Sequence, residues 1–154
     1  MTEASPDRIE KEIVVHAPRA KVWRAITDFR EFGKWFLADM QDPFVPGSLS
    51  KGRITYPGYE HLTIEVQIER MEPQHLFSWR WHPYAVDPKK DYSDEPTTLV
   101  VFELEEIAEG TRIRIIESGF DAIPLERRAE AFRMNSGGWA QQVQNIARYV
   151  GATK

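Results

Sequence analysis

One carboxylate stands where an apolar side chain is expected. The segment TRIRIIESGF, residues 111–120, alternates isoleucine with arginine in the period of a β-strand. Counting by two puts Ile113, Ile115 and Glu117 on one face, and Arg112, Arg114 and Ile116 on the other. Glu117 therefore shares the apolar face. A buried carboxylate is costly unless it is hydrogen-bonded, paired or protonated. Three roles would repay that cost. Glu117 could anchor a ligand hydroxyl or carbonyl, act as a general acid or base, or tie the fold together through Arg53, a tryptophan N–H or a helix. A break of parity near Gly119 would instead leave it in solvent.

The same counting gathers large rings on the faces that would meet Glu117. LFSWRWH, residues 76–82, puts Phe77, Trp79 and Trp81 on one side, with Ser78, Arg80 and His82 on the other. TLVVFELEE, residues 98–106, turns Val100, Phe102 and Leu104 inwards. After Pro124 the period changes: Phe132, Ser136, Trp139, Val143, Ile146 and Val150 step by three and four, which is one face of a long helix. Pro124 suits its start, and Gly151 is expected just past its end. The residues expected to contact a ligand are Trp79, Trp81, Phe102, Ile115, Glu117, Phe132, Ser136, Trp139 and Val143. Five tryptophans among 154 residues supply more ring area than most cores of this size use. Rings facing one helix would wall a pocket for a flat apolar molecule, or simply fill the core. Asn135 or Ser136 would reach Glu117 from the helix, with Ser136 the more directly inward. Gly137-Gly138 in mid-helix costs about 1 kcal/mol per residue relative to alanine, so a close approach or a bend is expected there.

Other chemistries lack their residues. There is no cysteine, hence no disulfide, thiolate metal site or thiol nucleophile. His16, His61, His75 and His82 show no helical ligand spacing, and no metal is expected. Neither Gly58–His61 nor Ser136–Trp139 matches a phosphate loop or dinucleotide fingerprint, so no cofactor is expected. There is no Gly-x-Ser-x-Gly elbow. The net charge of -4 without a basic stripe argues against nucleic acid. No run approaches the roughly 18 apolar residues of a membrane span. The polar N-terminus lacks an apolar leader core, and a cytoplasmic location is expected.

The elements that must position these residues follow from pattern and punctuation. A tail over residues 1–8 precedes a single domain over 9–151. Its first strand carries Ile9, Ile13 and Val15. A helix follows with Val22, Trp23, Ile26 and Phe29 at helical spacing, then a break at Gly33 and a second short helix over 34–40. Five further strands follow, separated by turns and by a polar loop over 83–97 long enough to act as a lid. The order is strand, two helices, about five strands, long helix. This is an α+β architecture in which one antiparallel sheet needs the long helix to cover its apolar face.

Four stretches carry a family resemblance: APRAKVWRAITDFREFGKWF (17–36), FSWRWHP (77–83), GTRIRIIESGFDAIP (110–124) and NSGGWAQQVQNIARYV (135–150). They resemble the START and birch-pollen-allergen superfamily, in the branch similar to the C-terminal domain of the activator of heat-shock-protein-90 ATPase. The resemblance runs from about Ile9 to Val150. It implies a helix-grip fold, a curved sheet of about six strands wrapped around the C-terminal helix with a cavity between them. It also implies a small hydrophobic ligand, aromatic, polyketide or lipid-like, and homodimers, which occur in the branch. The alternatives are a cyclase or dehydratase using Glu117 as acid or base, and a chaperone- or stress-linked protein that binds a protein partner. Binding is expected ahead of catalysis, because Glu117 lacks a second reacting group beside it.

Overall fold

The structure is a computed structural model that describes residues 7–83 and 89–152. Residues 1–6 of the expected tail and 84–88 of the polar loop lie outside the described residues. Strand β1 (Arg8–Val15) leads into helices α1 (Arg19–Thr27) and α2 (Phe29–Phe36). Six strands follow: β2 (Ala38–Met40), β3 (Leu49–Ile54), β4 (Thr63–Glu72), β5 (Leu76–Trp81), β6 (Thr98–Ile107) and β7 (Gly110–Ser118). A single 3-10 turn over Phe120–Ala122 leads to α3 (Leu125–Ala152). All seven strands join one antiparallel sheet in the order β1-β7-β6-β5-β4-β3-β2. The molecule is thus α+β, and the helix-grip arrangement is present, with α3 packed against the sheet.

The strands form where alternation predicts them. On β4, Ile64, Val66 and Ile68 are buried while Glu65 and Gln67 are exposed. On β7, Ile113, Ile115 and Glu117 are buried and Arg114 is exposed, so parity holds up to the carboxylate. The β4–β5 pairing shifts register between Ile68 and Arg70. A bulge of this kind bends its strand and raises the local twist, which helps a sheet to curl around a helix.

Three local expectations are corrected. Gly33 does not interrupt the second helix, and residues 38–40 are not helical. Asp28 caps α2 from its N-terminus: one carboxylate oxygen accepts from the N–H of Arg30 at 2.9 Å and of Glu31 at 3.1 Å. The helix then runs through Gly33 and ends at Leu37, which adopts a left-handed φ of 67° and donates its N–H to Gly33 O at 2.9 Å. The chain reverses there into β2, the strand that makes seven instead of six. The reversal is tight: a Cβ on Gly33 would lie 2.2 Å from Ala38 O. Glycine is thus required by the neighbouring backbone, not as a helix stop. At the other end of the chain, α3 includes Gly151 and extends to Ala152.

Packing fixes the helices to the sheet and to each other. Val22, Ile26 and Phe32 are fully buried, and the Trp35 indole donates to Ala25 O at 2.8 Å, tying α2 to α1. Gln142 on α3 donates to Phe36 O at 3.3 Å, and Tyr149 donates to Glu31 at 3.1 Å. Arg127, near the start of α3, pairs with Glu95 at 2.7 Å and donates to Pro83 O at 2.7 Å. That pair fastens the stretch after β5 to the long helix. Burial pushes the Glu95 carboxyl up, but Arg127 and Lys90 outweigh it and hold it below the usual range.

Gly33→Ala tests the α2–β2 reversal. Alanine at an open helical site would stabilise by about 1 kcal/mol. Here the methyl group has no space, and the variant should lose about 1–3 kcal/mol instead. The midpoint of urea unfolding at unchanged slope is the measurement.

Candidate functional site

Glu117 is fully buried, and four side chains from three elements donate to its carboxylate. Trp81 Nε1 on β5 reaches Oε2 at 2.7 Å, and Thr98 Oγ1 on β6 reaches the same oxygen at 2.6 Å. Trp139 Nε1 on α3 reaches Oε1 at 2.8 Å. Asn135 Nδ2, one helical turn earlier, bridges both oxygens at 3.0 and 3.1 Å. The elements explain the convergence. Trp81 and Thr98 are cross-strand partners, and Glu117 sits on the adjacent strand opposite Val100. All three therefore face α3 from neighbouring positions on the sheet. Asn135 and Trp139 are spaced i and i+4, so the helix presents both to that point.

The chemistry of the cluster is distinctive. Both indoles and the asparagine amide can only donate through the atoms they use, which suits a carboxylate that accepts at both oxygens. No partner is a cation. Glu117 is satisfied without being neutralised, and the Arg53 pairing considered from sequence is absent: Arg53 lies on β3, beside Asp39 and Thr63.

Beside this cluster a cleft of about 170 Å³ opens between α2, α3 and the end of β5. Its rings are Phe36, Trp81 and Trp139, with mutual centroid distances of 5.9 to 6.3 Å. Met134, Asn135, Gly138 and Gln142 on α3 complete the lining. Trp81, Asn135 and Trp139 thus face two ways, lining the cleft and holding Glu117.

The residues singled out from sequence divide into groups. Trp81 and Trp139 line the cleft, with Glu117 directly behind them. Trp79, Phe102 and Ile115 are fully buried in the core, and Val143 is nearly so. Trp79 makes edge or tilted contacts with Phe32, Phe77, Trp81, Phe102 and Trp139 at 5.3 to 6.3 Å. Its indole N–H has no partner among the described residues. Burying a ring of about 200 Å² returns about 5 kcal/mol, which exceeds the roughly 1–3 kcal/mol cost of one unpaired donor. Phe132 packs edge-on against Phe120 at 5.2 Å, away from the cleft lining. Ser136 is half-buried, and Asn135 makes the contact with Glu117 that either residue was expected to make. Gly137 and Gly138 lie within continuous helix, and a Cβ on either would meet nothing within 4 Å.

Thr98, Phe36, Met134 and Gln142 were missed. Thr98 was within reach: it stands two residues before Val100 and so shares its inward face. Asn135, Gly138 and Gln142 form an i, i+3, i+7 row beside the apolar stripe, also readable once Trp139 is taken as a centre. Phe36 had no such signal, because its position depends on where α2 ends.

Replacing Glu117 measures the cluster. Glu117→Ala strands four donors and leaves a cavity, and it should cost about 3–5 kcal/mol. Glu117→Gln keeps the volume but presents an amide N–H₂ to a cluster in which only the Thr98 hydroxyl can accept, at about 1–3 kcal/mol. Urea midpoints of both variants check this; two values within 0.5 kcal/mol of the wild type, as for a surface site, would refute it.

Comparisons with known proteins agree with this architecture. The crystal structure of a Mesorhizobium loti protein superposes with a TM-score of 0.74 at 23% identity, covering 96% of this chain and 98% of that one. A Nitrosomonas europaea protein gives 0.75 at 16% identity, with 97% of each chain covered. The solution structure of the Aha1 dimer from Colwellia psychrerythraea gives 0.69 at 18% identity, covering 96% and 98%. No curated protein matches at a significant level. Among the described residues, no helix is long and apolar enough to cross a membrane. The family model for Activator of Hsp90 ATPase homolog 1-like proteins matches residues 16–151, and the chain belongs to that family.

Proposed function

We propose that the chain binds a small, flat, apolar molecule in the cleft between α2, α3 and the end of β5. The observation that carries this is the corner of three rings, Phe36, Trp81 and Trp139, of which Trp81 and Trp139 are held by a fully buried hydrogen-bonded carboxylate. Rigid rings supply burial at little entropic cost, and preorganisation of this kind improves binding. Size narrows the ligand. Drug-sized pockets run from about 300 to 1,000 Å³, whereas a cavity of about 150 Å³ accepts benzene. A cleft of about 170 Å³ therefore suits one or two fused rings better than a long lipid or an extended polyketide.

Catalysis by Glu117 is the weaker reading. A general acid or base must lie within hydrogen-bond reach of its substrate. Both Glu117 oxygens are occupied by protein donors, and the residue is sealed from solvent.

Titration with 2-naphthalenemethanol, followed by the indole N–H resonances of the five tryptophans, tests the binding reading. Trp81 and Trp139 should shift most. Gly138→Leu places a side chain at the cleft, and should abolish those shifts without loss of stability, since leucine replaces glycine in a helix. Unchanged titration of that variant would move the ligand elsewhere.

The family description and the dimeric Aha1 neighbour favour a second reading, contact with a heat-shock-protein-90-type ATPase. Adding saturating chain should then raise the ATPase rate of such a chaperone. An unaltered rate discards this reading and leaves the cleft untouched.

A further inference from the structure

We infer that the cleft selects by charge: it favours an arylalkyl amine, carried as its ammonium ion, and rejects arylalkyl carboxylates. The inference rests on the binding reading above and names the chemical class of its ligand. Four observations converge. Glu117 accepts from Trp81, Thr98, Asn135 and Trp139, none of which carries a positive charge. Hydrogen bonds to neutral donors satisfy the carboxylate's lone pairs but leave its net charge in place. Three of those donors are also walls of the cleft, so that charge stands one side chain behind the ligand.

Among the described residues the lining holds no ionisable side chain: it consists of three rings, a methionine, a glycine and two amides. None of these residues offsets the carboxylate. The rings add to its effect, because the face of an aromatic ring is the negative end of its quadrupole and attracts a cation. The buried setting keeps solvent from screening the charge as fully as at an open surface. An apolar ring would fill the corner of Phe36, Trp81 and Trp139. A short ammonium arm would find the amide oxygens of Asn135 and Gln142 as acceptors, with the Glu117 field behind them. A carboxylate arm would meet that same field with the wrong sign.

The experiment compares three molecules that share one ring and one linker: 2-naphthylmethylamine, 2-naphthalenemethanol and 2-naphthylacetate, at pH 7 and fixed ionic strength. Affinities come from calorimetry, and the site from the Trp81 and Trp139 indole resonances. The amine should bind at least about tenfold more tightly than the carboxylate, with the alcohol between them. In Glu117→Gln the ratio of amine to alcohol affinity should fall to about one, whatever the altered cluster does to both. Gln142→Lys, a second variant that leaves the carboxylate cluster intact, places a cation in the lining and should reverse the order. A carboxylate that binds the wild type as tightly as the amine overturns the charge inference and leaves the ligand reading standing. An amine preference that survives Gln142→Lys unchanged also overturns it. If none of the three shifts Trp81 or Trp139, the cleft is not a ligand site, and both readings fall together.

Discussion

The structure depends on how one buried negative charge is satisfied. Taking a carboxylate out of water costs far more than any single contact returns, so Glu117 is tolerable only where several donors converge on it. Here four do, from β5, β6 and α3. Their geometry holds only if α3 sits at one height and rotation on the sheet. The carboxylate thereby acts as a register mark: apolar side chains would let the helix slide or turn, whereas two indoles and an amide at fixed distances would not. The Gln142 and Tyr149 contacts to α2 extend the same constraint along the helix.

The aromatic core follows from that placement. Trp79 and Phe102 sit at the centre of a continuous cluster that reaches Phe32 on α2 and Trp139 on α3. Near its edge the cluster stops being core and becomes wall. Trp81 and Trp139 pack against Trp79 and also line the cleft, Trp81 half-buried and Trp139 almost wholly buried. The tryptophan pair therefore serves stability and surface chemistry together, which is why the two are hard to separate by a single substitution. Gly138 and Gln142 escape this coupling, being on the lining without touching the carboxylate.

Much of this was legible in the chain. Alternation in TRIRIIESGF placed Glu117 inwards, and the 3-4 stepping after Pro124 gave the long helix and put Trp139 on its inner face. Those signals are local and periodic, and burial enforces them because a slip by one residue would reverse every side chain. The α2–β2 reversal was not legible. Gly33 reads as a helix breaker in sequence, and only the approach of Ala38 O shows it to be a contact requirement. The extra edge strand was hidden for the same reason: three residues are too few for a period to declare itself.

The sequence by itself determined the α+β class, the inward carboxylate and the set of rings that would surround it, because each follows from which face a residue takes in its own element. Tertiary structure decided which of those rings meet solvent. Trp79, Trp81 and Phe102 share one strand parity, yet Trp79 and Phe102 are sealed while Trp81 lines the cleft. It also chose Asn135 over Ser136 as the helix's link to Glu117, and Phe36 as the third wall. Those outcomes depend on the height and rotation of α3 and on the end of α2. Both are relations between elements, fixed by packing and by where donors meet one carboxylate, and no single segment encodes them.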